Sequence, residues 1–104
     1  MGQLTLRITL NQKEEAALLT LEGRVAGPWA TELGRVWIDT APRLAQKDLS
    51  IDISNVTFAD ADGMKVLRDI YSQARAEIVA NTPWTRHLAV QIAANDYERQ
   101  DQEQ

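Results

Sequence analysis

Leu4, Leu6, Ile8 and Leu10 alternate with Gln3, Thr5, Arg7 and Thr9. A period of two predicts a strand with one buried face. The polar run Asn11-Gln12-Lys13-Glu14 reads as a turn, and Ala17, Leu19 and Leu21 resume the alternation on a second strand. So short a connection makes the pair an antiparallel hairpin, ended by Gly23. After Gly27 the period changes. Pro28 suits a first helical turn, where its missing N–H costs nothing. Trp29, Leu33, Val36, Trp37, Ala41 and Leu44 then recur at helical spacing, and Pro42 predicts a stop or kink near Thr40.

Leu49, Ile51 and Ile53, with Ser50, Asp52 and Ser54 between them, predict a third strand. Beyond the segment Ala59-Asp60-Ala61-Asp62-Gly63, a second helical stripe runs through Met64, Leu67, Ile70, Tyr71 and Ala74. Acids at its start suit the partial positive charge of a helix N-terminus. Glu77 to Ala80 reads as a short strand, and Thr82-Pro83 opens a third helix carrying Trp84, Leu88 and Ile92. The predicted order is β-β-α-β-α-β-α, an α/β fold with a mixed sheet flanked by helices. Three helices cover one face, and the other stays at least partly wet. Residues 1–94 form one domain, and 95–104 a polar, acidic tail without fixed structure.

Composition narrows the class. A chain of 104 residues is one domain, with 44% hydrophobic and 25% charged residues, the balance of a folded globule. The absence of cysteine excludes disulfides, thiolate metal sites and a cysteine nucleophile. A net charge of −4 argues against nucleic acid, since no basic stripe exists to displace counterions. No apolar run approaches a membrane span, and no leader is visible at Met1-Gly2-Gln3-Leu4. Leu6 stands where a myristoylation signal needs Ser or Thr. The expectation is a cytoplasmic protein that does not insert into membranes.

The segment Leu49 to Met64 carries the most information. Asp52, Ser54, Val56, Phe58, Asp60 and Gly63 stand at the spacing of Asp-x-Ser-x-Val-x-Phe-x-Asp-Ser-Ser-Gly, and Leu19-Thr20-Leu21-Glu22-Gly23 adds a matching second strand and turn. In these residues, and in element order over about 4–94, the chain resembles STAS domains of the anti-sigma-factor-antagonist type. That resemblance implies a bacterial, non-enzymatic regulator of transcription that works by partner switching, with neither cofactor nor metal. Its implied partner is an anti-sigma factor with a kinase fold. The implied surface is Phe58, Asp60, Ala61, Asp62, Gly63, Met64, Lys65 and Arg68, with Asp69 as a further polar candidate.

The chain departs from the pattern at the paired serines, which are Ala61-Asp62 here; the second is the residue that family phosphorylates. It also lacks the final strand and helix of longer members. Arg24 follows Gly23 where many relatives place an acid shortly after the glycine. A serine at a helix N-terminus can switch from neutral to doubly negative, whereas an aspartate holds one fixed charge and fewer acceptor oxygens. Asp62 is thus expected to exclude the standard switch, leaving either a phosphomimetic, locked state or an abandoned switch. The same resemblance leaves a second role open, as accessory subunit of a membrane transporter or lipid-transport ATPase complex, and a third as a signalling scaffold.

Plainer readings stand beside these. Asp60 and Asp62 also fit as ordinary helix-start acids. A phosphotransferase-type Asp-x-Asp pair lacks its lysine and larger scaffold, and a calcium loop fails because the twelfth residue from Asp60 is Tyr71. His87, the single histidine, falls off the apolar stripe and reads as a surface residue. Trp29 and Trp37 read as core. Trp84, in a first helical turn, reads as partly exposed and open to a partner.

Overall fold

The computed structural model describes residues 5–102, and side chains as far as residue 94. Strands β1 (Leu6–Gln12) and β2 (Ala16–Val25) form the predicted hairpin, and helix α1 spans Pro28–Thr40. A 3₁₀ turn, Ala41–Leu44, follows where Pro42 forbids further α-helix. Strand β3 (Asp48–Ala59), helix α2 (Ala61–Ala74), strand β4 (Glu77–Val79) and helix α3 (Pro83–Gln102) complete the order.

The sheet runs β1-β2-β3-β4, antiparallel at its first pairing and parallel at the other two. It is mixed, as the hairpin followed by strand–helix–strand units requires. The order does not reverse, so crossovers of the usual hand set α1 and α2 on one face. Burial agrees. Leu6, Leu19, Leu21, Leu49, Ile51 and Ile53 turn inward against Leu33, Trp37, Leu67, Ile70, Leu88 and Ile92 in one continuous core. Their strand neighbours, among them Thr9, Thr20, Glu22, Ser50 and Asp52, line an open face that is half-buried or exposed.

Side-chain hydrogen bonds lock the helices. The Trp37 indole N–H donates to Gln73 Oε1 at 3.0 Å, tying α1 to α2. At the start of α3, Thr82 Oγ1 accepts from the Thr85 N–H at 3.1 Å, while Thr85 Oγ1 accepts from the Thr82 N–H at 3.0 Å. This is a capping box with threonine in the place usually taken by glutamate. Its geometry explains why Thr85, a polar residue off the predicted stripe, is buried.

Two expectations need adjustment. Trp37 is core, but Trp29 is half-buried at the rim of a groove. The backbone of α3 continues through Gln102, past Asn95 where the tail was expected to begin. Glu, Arg and Gln in that stretch are strong helix formers, so propensity extends the helix beyond its last apolar anchor. The side chains of 95–104, residues 103–104, and the start Met1–Leu4 with its Leu4 expectation lie outside the described residues.

Candidate functional site

The C-terminal ends of β2 and β3 deliver the chain to the starts of α1 and α2, and the resemblance segment folds into the corner between them. Strand β3 carries more residues than its partner. Thr20 pairs with Asp52 but Glu22 with Asn55, and Gly23 pairs with Val56 but Arg24 with Phe58. Each shift is a β-bulge, which re-aims the side chains that follow it. At the first bulge Asp52 Oδ1 accepts from the Ser54 N–H at 2.9 Å, supplying a partner that the interrupted ladder does not. Val56, between the shifts, is buried, and its carbonyl accepts from the Trp84 indole N–H at 2.9 Å.

Asp60 is the N-cap of α2. One carboxylate oxygen accepts from the Gly63 N–H at 2.7 Å, and the other accepts from the Gly27 N–H at 2.9 Å. One side chain therefore ties together the starts of two helices. The hydrogen bonds from Gly27 and then Gly63 hold this carboxyl below its ordinary pKa. With both oxygens engaged, Asp60 is a clamp, which removes the basis for reading Asp60-x-Asp62 as a nucleophile pair. Gly63 lies against β2: a Cβ there would stand 1.9 Å from the Val25 carbonyl oxygen, which also accepts from the Asp60 N–H at 3.2 Å.

The depressed pKa sets a pH dependence. The stabilisation from a lowered carboxyl is complete above the unfolded value, about 3.9, and is lost as pH falls through the folded value. Asp60→Asn is therefore expected to lower the urea midpoint at pH 7, with a smaller difference from the wild type at pH 3. Equal differences at the two pH values would show that the charge of Asp60 is not engaged.

Structural work thus accounts for Asp52, Val56, Asp60 and Gly63, four of the six residues that carry the resemblance. The residues left facing outward are different ones. Phe58 is 39% exposed, and the Arg24 guanidinium stacks over its ring at 4.4 Å from the centroid. Ala61 and Asp62, in the first turn of α2, are exposed, as is Lys65 one turn on. Met64, Arg68 and Asp69 are half-buried, and the Arg68 Nε has no hydrogen-bond partner. Among the described residues nothing hydrogen-bonds the Asp62 carboxylate. Trp84, 41% exposed, stands near the same end of β3 through its bond to Val56. His87 is exposed, and among the described residues no group of three His, Asp or Glu side chains is placed to hold a metal ion. No helix is long and apolar enough to cross a membrane, among the described residues.

Arg24 and the Trp84 anchor escape a reading by sequence. Arg24 was visible only as a departure after Gly23, and nothing along the chain pairs it with Phe58. Trp84 meets β3 through an atom 28 residues away.

The architecture has counterparts among solved structures. An anti-sigma factor antagonist from Mycobacterium paratuberculosis superposes with a TM-score of 0.72 at 19% identity, over 94% of this chain and 86% of that one. The anti-sigma factor antagonist SpoIIAA in its unphosphorylated form gives 0.59 at 11% identity, over 79% and 80%. No protein-family model and no curated protein matches the chain. At these identities the likeness defines the fold, and the fold is of the STAS type. More particularly, its four-stranded sheet and three α-helices follow the fold of these two anti-sigma factor antagonists over most of the chain.

Proposed function

We propose that the chain is a non-enzymatic regulatory module that binds a protein partner through the corner where β3 meets α2. The Arg24–Phe58 stack carries this reading: an exposed aromatic ring overlaid by a half-buried arginine stands on a scaffold fixed by Asp60 and Gly63. Exposed aromatic and arginine side chains on rigid supports are the usual centres of interface energy. Beside them Asp62 supplies a constant negative charge at the helix start. The partner fitting this fold is a kinase-fold anti-sigma factor. With aspartate at the phosphoserine-equivalent position, regulation at 62 by phosphorylation is absent, and occupancy follows the amounts of the two proteins.

The test is capture of kinase-fold ATPases encoded beside the gene, using the tagged full chain. Asp62→Lys, a change of two charge units at an exposed position, is expected to weaken capture about tenfold or more. Deletion of residues 95–104 is expected to leave capture intact. Failure to bind any such ATPase would sink the anti-sigma reading, and selective capture of a transporter ATPase would replace it with the accessory-subunit role.

A further inference from the structure

The sheet has two edges. β4 is only three residues long, which blunts it, but β1 offers seven. The bonds between β1 and β2 fall on odd positions of β1: the Arg24 N–H donates to the Thr5 carbonyl at 3.2 Å, and the Lys13 N–H to the Ala16 carbonyl at 2.8 Å. Both belong to the register that pairs Leu6 with Gly23 and Ile8 with Leu21. Antiparallel ladders alternate, so Leu6, Ile8 and Leu10 turn their N–H and C=O groups outward.

The same three residues turn their side chains toward the helices, where the cover is incomplete. Ile8 and Leu10 are half-buried, and with Trp29, Glu32, Val36 and Trp37 of α1 they line a groove of ≈ 370 Å³. An added strand at this edge would satisfy the outward backbone and close the groove together. Edges of this length are normally guarded by lysine, proline or a bulge. β1 has none of these, and its single charge is Arg7.

We propose that β1 pairs with β1 of a second copy of this chain, antiparallel about a two-fold axis through Ile8. Two four-stranded sheets then become one continuous sheet. In this register Ile8 faces Ile8 of the second copy, Leu6 faces Leu10, and Arg7 faces Thr9. The segment Leu6-Arg7-Ile8-Thr9-Leu10 has the same apolar pattern from either end, so a reversed copy matches it at every outward-bonding position. Charge favours the same occupant. The chain carries −4 overall, yet no acid precedes Glu14, so two copies meet along their least acidic stretch with no like charges opposed.

Sedimentation equilibrium of the full chain is expected to give a dimer mass at high-micromolar concentration. Ile8→Pro, which removes an outward N–H and no bond within the chain, is expected to give a monomer with unchanged far-UV circular dichroism. A cysteine scan keeps the test independent of folding, because the chain has no cysteine of its own. Under mild oxidation Ile8→Cys should cross-link about tenfold faster than Ile38→Cys, since facing Cβ atoms of a strand pair lie close to disulfide distance. Ile38 is 75% exposed on α1 and provides the reference for random collision. A monomer mass at that concentration overturns the proposal, as does a dimer in which the two cysteines link equally fast.

Discussion

Gly63→Ala is expected to lower the stability of the fold by about 3 kcal/mol, a loss that lowers the melting temperature by more than about 10 °C in a domain of this size. On helix propensity alone alanine would gain about 1 kcal/mol, because Gly63 lies inside α2. Space reverses the sign. The added Cβ would stand 1.9 Å from the Val25 carbonyl oxygen and 2.9 Å from its carbon, backbone atoms that cannot rotate away. Relief requires α2 to lift off the end of β2. That movement stretches the bonds from the Asp60 N–H to Val25 and from the Gly63 N–H to Asp60, and with them the clamp on Gly27.

Gly34→Ala provides the control. Its added Cβ would meet nothing nearer than Val66 Cγ2 at 3.7 Å, ordinary van der Waals contact, so the propensity gain survives and the variant is expected to be more stable than the wild type. Urea titrations of the two variants decide the matter. If Gly63→Ala unfolds at the wild-type midpoint, the close approach does not govern the corner.

The same contrast marks what the chain discloses before it is folded. Periods of two and of three to four residues reported β1, β2, β3 and all three helices, because burying one face of an element imposes that spacing wherever it occurs. Gly23 and Gly63 were legible as positions, but the reasons for them were not. A Cβ at Gly23 would stand 2.3 Å from the Thr5 carbonyl, and its φ of 105° suits glycine. Both contacts join segments distant along the chain. The two bulges in β3 were likewise hidden, since an extra residue in a strand looks like any other until its partner is known. Asp52 illustrates the consequence. Along the sequence it belongs to a recognition motif; in three dimensions it serves the backbone of Ser54. Asp60 is similar: its helix-capping role was visible locally, whereas its bond to Gly27, 33 residues away, required the tertiary fold. A motif can thus identify a fold strongly and a binding surface only weakly.

Phe58→Ala is expected to weaken partner binding about thirty-fold, roughly 2 kcal/mol, with stability changed by no more than about 0.5 kcal/mol. The separation follows from exposure. The Phe58 ring stands outside the core and touches the Arg24 guanidinium at 4.4 Å, so its removal opens no cavity. In a complex the ring loses its remaining water contact and holds Arg24 in one orientation, two contributions that the free protein realises only in part. Arg24→Ala is expected to cost less, because it removes the cation and leaves the ring. The double variant should fall short of the sum of the two, since each single change already breaks the stack. Val56→Ala reverses the pattern: buried beneath the corner, it is expected to lower stability while leaving the affinity of the folded fraction close to wild type. Calorimetric titration against the captured ATPase, paired with urea unfolding of each variant, measures both quantities. Wild-type affinity in Phe58→Ala would move the centre of the binding surface away from the Arg24–Phe58 stack and toward Trp84, which is 41% exposed near the same end of β3.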